Sequence, residues 1–368
     1  MKILGTILNW FLVGIICLIA VSKYANGNWL QAILLTITVL LLIPQVRREI
    51  NKQVKFTIPW YIHSGIIICL LVVVYLIIQI NKPKSIYVSD KYKNQFMSFY
   101  DKQMKDWPTP YETKYIETKY GKAHVIIGGP KDAPPVILCH AGALPSWSWK
   151  YNIKELNKYF RTYAIDAMGE VGKTILYDVN KHTKDGKDIA ELYNEIFNKL
   201  KIKQANLIGA SYGGYIGTNI AIHHPELINK LVLIGPMGVT PATASTLFRI
   251  TLLTIFPIKP MQNSFIDWMV AGDKEKTKEI IDWMRLVFIG VRAKEAPPMT
   301  FSLEELEKVN APVLLILGDK DNLVGDPQKV IEYTQAIDEI QTNIVKASHG
   351  IWAEQSEDVN TLAINFLK

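Results

Sequence analysis

The sequence predicts an α/β protein built on a mostly parallel sheet with helices on both faces, preceded by three apolar N-terminal segments. Three observations predict the α/β part. Short continuous apolar runs recur at residues 135–139, 162–165, 205–208, 231–234, 313–317 and 343–345, the pattern of strands buried on both faces. Helical patterns at 185–201, 212–223 and 325–336, and another closing the chain, separate them, as crossover connections between parallel strands require. Leu207-Ile208-Gly209-Ala210-Ser211-Tyr212-Gly213-Gly214 reads as a strand running into a helix through a turn of small residues, where bulkier side chains have no room.

The chain has 368 residues, enough for one large domain and an additional segment. Its first third opens on apolar stretches at about 3–21, 29–46 and 59–80, each near the ~20 residues that cross a bilayer as a helix. None contains Lys, Arg, Asp or Glu before its boundary, and Trp10, Trp29, Trp60 and Tyr61 are candidate interfacial anchors. Three transmembrane helices are therefore expected within residues 1–84, making this a multi-pass membrane protein with the bilayer as a partner. The competing reading of the first stretch is a cleaved signal peptide ending at Ala20-Val21-Ser22, which leaves two spans. The short loop with Arg47, Arg48, Lys52 and Lys55 outweighs Lys23 in the first loop. That bias directs the C-terminal region to the extracytoplasmic side, against the opposing weight of Lys82, Lys84, Lys91 and Lys93.

Residues 1–80 hold Lys2, Lys23, Arg47, Arg48, Lys52 and Lys55 against Glu49 alone, and the remainder holds 35 basic and 33 acidic groups. The positive balance belongs to the N-terminal region, which argues against a nucleic-acid partner. Cys17, Cys69 and Cys139 make no disulfide framework and read as small buried hydrophobes.

Residues 85–110 form a linker with an amphipathic helix over 90–107, ended by Pro108 and Pro110. Residues 115–120 and 123–127 read as a hairpin around Gly121. The α/β core occupies 111–236 and 310–368. Residues 237–309 interrupt it with a segment too long for a simple connection and too patterned for disorder. Phe248, Phe256, Phe265, Trp268, Trp283 and Phe288 suggest helices with an apolar inner face, a helical lid over an acyl pocket whose aromatics partly form its own core. Ile-Asp-Trp-Met occurs at 266 and again at 281; one pair of short matches is coincidence, not a solenoid repeat.

Gly209-Ala210-Ser211-Tyr212-Gly213 places a serine hydroxyl on a sharp strand-to-helix turn, clear of the backbone. A neutral serine is a poor nucleophile and requires a base and an acid to orient that base. Of seven histidines, His63 lies in an apolar span, His124 and His182 precede the turn, and His223 and His224 sit on the helix that leaves it. His349, in the loop after the last strand run, is the candidate base. Asp321 ends the run at 313–317 and lies 28 residues before His349. It is the candidate acid, with Asp319 the competing carboxylate, read as a turn or capping residue. The order Ser211, Asp321, His349 is the one this turn architecture uses. The oxyanion donors should be the Tyr212 amide and an amide of His140-Ala141-Gly142-Ala143, with Gly142 favoured and Ala143 in reserve. His140 reads as a structural hydrogen-bonder.

From residue 110 to the end, the chain resembles an α/β-hydrolase of the serine carboxylesterase type. Leu138-Cys139-His140-Ala141-Gly142 matches the strand and oxyanion loop, with Trp149 shortly after. Asp166-Ala167-Met168-Gly169-Glu170-Val171-Gly172-Lys173-Thr174 fits the family's Asp-x-x-Gly-x-x-Gly-x-Ser/Thr loop, and His224-Pro225-Glu226 the end of the helix after the serine. Gly209 to Gly213, Asp321 and His349 supply the triad. Ala141 stands where the family usually has glycine, and Met168 where it has an arginine that commonly forms a salt bridge. Dehalogenases and epoxide hydrolases are less similar, since they carry aspartate at the position of Ser211.

The resemblance implies an α/β-hydrolase fold and a serine hydrolase cleaving carboxylic esters through an acyl-enzyme; the segment 237–309 adds a helical lid and the three apolar stretches a membrane anchor. It implies no cofactor. A thioesterase, lipase or acyltransferase using the same triad is the nearest alternative, and a non-catalytic membrane interaction protein is the alternative of another class. Gly169-Glu170-Val171-Gly172-Lys173-Thr174 imitates a phosphate-binding loop, but Ala167 occupies the position of its first glycine. No His/Cys/Asp cluster has metal-site spacing. The expected partner is a small-molecule ester, lipophilic if the site lies beside a bilayer.

Overall fold

The computed structural model describes residues 29–53, 59–80, 84–255, 258–292 and 296–368, with a few positions between 13 and 20. The chain divides into two compact units, residues 1–82 with 248–263, and residues 83–247 with 264–368.

In the first unit, helices cover Trp29–Leu42, Pro44–Gln53 and Trp60–Ile80. The expectation of three transmembrane helices finds no support among the described residues, where no helix is long and apolar enough to cross a membrane. The first stretch lies mostly outside the described residues. The second stops at Leu42, giving 14 residues, or ~21 Å at 1.5 Å per residue, short of a ~30 Å hydrocarbon core. Pro44 opens a separate polar helix there, because its ring removes an N–H and clashes with a continuing turn. The third coincides with the helix Trp60–Ile80.

The second unit is organised by one nine-stranded sheet. Its strands are β1 (Tyr111–Thr118), β2 (Gly121–Gly128), β3 (Pro135–Cys139), β4 (Arg161–Ile165), β5 (Ile175–Leu176), β6 (Ala205–Ala210), β7 (Ile228–Ile234), β8 (Val313–Gly318) and β9 (Ile340–Val345). The order is β1-β2-β4-β3-β6-β7-β8-β9, with β5 paired to β2. β1 and β2 form the expected hairpin, and β2 also runs antiparallel to β4. From β4 through β9 every neighbour is parallel.

Alternation along the strands fixes two cores. Val136, Leu138, Ile208, Val232, Leu314 and Ile316 face one way, packing with Trp147, Trp149, Val359 and Ala363. Ile137, Cys139, Leu207, Leu231, Val313 and Leu315 face the other, against Ile189, Tyr193, Ile216, Ile220 and Val330 of helices Gly186–Leu200, Tyr212–His223 and Pro327–Thr334. Both faces are covered, which is why these strands read as continuous apolar runs. Helix Asp90–Lys105 begins on the Ser89 side chain, which accepts the Tyr92 amide, and buries Phe96, Tyr100 and Met104. The interrupting segment holds helices Ala244–Ile255, Lys259–Met269 and Lys278–Gly290, with residues 248–263 belonging to the first unit. Ile266, Ile280, Ile281 and Trp283 join the first core, whereas Phe248 is 67% exposed.

Candidate active site

Parallel strands deliver their C-terminal loops to one edge of the sheet, where α/β ligand sites form. Cys139 pairs with Gly209, so the loops after β3 and β6 emerge side by side. β8 and β9 bring Asp321 and His349 to the same edge.

Ser211 sits between β6 and helix Tyr212–His223 at φ 51°, ψ −112°, a strained conformation of about 1–3 kcal/mol that its surroundings must hold. Gly213 makes the turn possible. A Cβ there would lie 1.9 Å from the Cys139 carbonyl oxygen and 2.7 Å from that of His140. Only glycine lets the helix start so close to β3.

The structure brings together the three residues that the sequence singled out. His349 Nε2 lies 2.8 Å from Ser211 Oγ, and His349 Nδ1 lies 2.8 Å from Asp321 Oδ2. A carboxylate accepts, so Nδ1 carries the proton and Nε2 is left to accept from the serine hydroxyl. Asp321 Oδ1 accepts the amides of Leu323 and Val324, each at 3.0 Å, which fixes the carboxylate plane. The His349 amide donates to the Met269 carbonyl at 3.2 Å. The neighbouring Ser348 donates its amide and its hydroxyl to buried Glu354. Ser211 is 3% exposed and His349 5%, so the pair is held away from bulk water. Asp319 donates its amide to the Val345 carbonyl, a place in the turn.

In the loop after β3, the candidate donor amides differ in what they meet. Ala143, the reserve donor, gives its N–H to Glu170, 3.1 Å from each carboxylate oxygen, which leaves Gly142. The Ala141 carbonyl accepts from Leu144 N at 3.1 Å and His140 Nδ1 at 3.0 Å. His140 Nε2 accepts the Ala167 amide at 2.8 Å, so Nδ1 bears the hydrogen. Burial pulls the His140 pKa below the usual histidine value, which keeps this neutral tautomer. Because a peptide unit is planar and trans, two donors on the Ala141 carbonyl aim the Gly142 N–H the opposite way. Gly142 lies against Tyr212, whose Cβ would be 3.3 Å from a Cβ built at 142. The Tyr212 amide is in the first turn of its helix, where N–H groups point outward at the positive end of the dipole. The Tyr212 hydroxyl donates to the Ala296 carbonyl at 2.8 Å.

Met168 is buried and offers Asp166 no charge, and Asp166 is satisfied by other groups. It accepts from the Ser146 amide at 2.7 Å, the Lys173 amide at 2.9 Å, Tyr100 OH at 3.1 Å and His124 Nδ1 at 3.0 Å. Burial alone would raise its pKa, but the His124 hydrogen bond and charge hold it well below the ordinary carboxylate value. Lys173 pairs with Asp101 at 2.6 Å. Among the described residues, no group of three or more His, Cys, Asp or Glu is arranged to hold a metal ion.

Two residues about the oxyanion loop had no site role in the sequence reading, Glu170 and Trp283. Trp283 Nε1 donates to the Ala143 carbonyl at 2.8 Å across 140 positions of chain. No local pattern encodes a contact at that separation.

The family model for the α/β-hydrolase fold matches residues 134–262. Carboxylesterase YbfK of Bacillus subtilis is 29% identical over 284 residues, covering 74% of this chain and 93% of the relative. Its crystal structure superposes with a TM-score of 0.69 over 75% of this chain and 98% of its own. The naproxen esterase of Bacillus subtilis, 26% identical, gives 0.70 over 76% and 99%. A 2-hydroxy-6-oxo-6-(2'-aminophenyl)hexa-2,4-dienoic acid hydrolase of Metapseudomonas resinovorans is 26% identical over 70% of this chain and 87% of its own.

Proposed function

We propose that this chain, which has the α/β-hydrolase fold, is a membrane-attached serine hydrolase that cleaves carboxylic esters through an acyl-enzyme. The observation that carries the reading is the continuous pair of hydrogen bonds from Asp321 through His349 to Ser211, both 2.8 Å. The esterase names of relatives matched over nearly their full length support the ester as substrate.

Ser211 gives its proton to His349 Nε2 as Oγ attacks the ester carbonyl. The tetrahedral oxyanion accepts from the amides of Tyr212 and Gly142, a stabilisation worth about 3–4 kcal/mol per donor. Asp321 keeps the imidazole in the tautomer that accepts from serine and stabilises it once charged. His349 then protonates the departing alkoxide, and water, deprotonated by the same imidazole, releases the acid and restores Ser211. A thioester, or an alcohol acceptor in place of water, uses the same steps. Product ratios with competing alcohols separate hydrolysis from acyl transfer.

Membrane attachment rests on the composition of residues 1–80 and on the apolar residues exposed along Trp60–Ile80, among them Ile66, Ile68, Leu71 and Val72. Such a surface is costly in water and suited to lipid. Taken with the charge bias of the loops, it supports an extracytoplasmic active site acting on lipophilic esters. The test is labelling by a fluorophosphonate probe, with an impermeant version on intact cells. Wild-type protein should label on intact cells and Ser211→Ala should not label at all. Persistent labelling of the variant sinks the nucleophile, and labelling only after lysis sinks the orientation.

A further inference from the structure

Ala143 follows the Gly142 donor and holds a left-handed backbone at φ 62°, one of three non-glycine residues at positive φ among the described residues. Both peptide planes of Ala143 are pinned by side chains from distant parts of the chain. The plane shared with Gly142 is fixed by Glu170, whose two carboxylate oxygens each lie 3.1 Å from the Ala143 amide. The plane shared with Leu144 is fixed by the indole N–H of Trp283 on the Ala143 carbonyl.

Neither side chain has room to drift. Glu170 is 2% exposed. Trp283 is fully buried and met edge-on by Phe96, Phe99 and Trp147, with ring centroids 5.0, 5.2 and 5.6 Å away. A Cβ at Gly142 would lie 3.5 Å from Glu170 Oε1, so the carboxylate also backs the donor residue itself. Burying a carboxylate beside a loop that must receive negative charge is electrostatically unfavourable. There it accepts the Ala143 amide with both carboxylate oxygens.

We propose that Glu170 is a positioning residue of the oxyanion hole, holding Ala143 in its left-handed conformation so that Gly142, not Ala143, presents its N–H to the reacting carbonyl. Trp283, from helix Lys278–Gly290, closes the same clamp from the interrupting segment. The inference rests on the reading of Ser211 as nucleophile. An oxyanion donor acts mainly in the transition state, so loosening it lowers kcat and spares KM.

The test uses the full chain, p-nitrophenyl butyrate turnover per fluorophosphonate-titrated site, and inhibition by a trifluoromethyl ketone whose adduct on Ser211 carries an oxyanion. Glu170→Ala should lower kcat per site about 30-fold or more, within the ~100-fold that a small misplacement costs, with KM changed less than about twofold. The ketone's Ki should rise by a similar factor. Glu170→Gln keeps one acceptor oxygen and should stay within about fivefold of wild type. A Glu170→Ala enzyme with unchanged kcat and Ki overturns the proposal. So does a Gln variant as damaged as Ala, or a loss that vanishes per titrated site. If Glu170→Ala yields no folded protein, Trp283→Phe decides: it removes the indole N–H, and unchanged kcat overturns the clamp. Wild-type protein that fails to label at Ser211 overturns the functional reading itself; active, labelled wild type with unaffected variants overturns the clamp alone.

Discussion

Replacing Asp321 by Asn tests the triad and the assignment of its acid in one experiment. Oδ1 of Asp321 accepts two backbone amides, and Oδ2 accepts His349 Nδ1–H. An asparagine has one acceptor oxygen and one NH2. With its oxygen toward Leu323 and Val324, the NH2 faces Nδ1 and forces the imidazole to carry its proton on Nε2. His349 then donates to Ser211 and cannot take its proton. The flipped amide restores the useful tautomer but sets an NH2 against two buried N–H groups. Each unsatisfied group costs about 1–3 kcal/mol, so the flip lies roughly 4 kcal/mol uphill. At about 1.36 kcal/mol per decade, the competent rotamer is about one molecule in 1000. Asp321→Asn should therefore lose about 1000-fold in kcat/KM, within about a decade of the ~10,000-fold loss of a mis-tautomerised triad, with its melting temperature close to wild type. The assay is p-nitrophenyl ester hydrolysis beside thermal denaturation. A loss below about tenfold refutes the tautomer argument, and if Asp319→Asn removes activity instead, the acid is misassigned.

Two further outcomes follow from the same geometry. Gly213→Ala sets a Cβ 1.9 Å from the Cys139 carbonyl oxygen; a backbone clash of this kind should cost more than about 4 kcal/mol, seen as loss of soluble protein or a collapsed melting transition. His140 has its pKa lowered by burial, so the unfolded chain takes up that proton first. Its neutral form therefore contributes stability that is full above pH ~6.5 and lost as pH falls from there toward the lowered folded value. Urea midpoints between pH 8 and 5 should drop in wild type and flatten in His140→Asn, whose amide cannot titrate; equal slopes count against this role.

The apolar runs at 135–139, 205–208 and 313–317 were legible because strands covered on both faces have no polar side to hide their pattern. Ser211 was legible because its turn is local, and the small residues around it meet a steric demand within a few positions. The interruption of the second apolar stretch was also written there, in Pro44, yet composition hid it: hydropathy sums side chains, and a helix break is a backbone event. β5, two residues long, carries too few residues for any period.

By itself the sequence determined which residue types exist for the chemistry and their order, one serine on a turn, one acidic turn and one histidine loop. Tertiary structure decided how they meet. The sequence favoured Gly142 over Ala143 as donor without a contact to exclude the second, and the structure supplies that contact where Glu170 occupies the Ala143 amide. The sequence preferred Asp321 to Asp319 on turn position alone, and the sheet edge then turns Asp321 toward His349. These choices rest on hydrogen bonds spanning 27, 28 and 140 positions, and contacts of that range leave no periodicity or local preference in a chain, because only packing of the whole sheet brings their partners together.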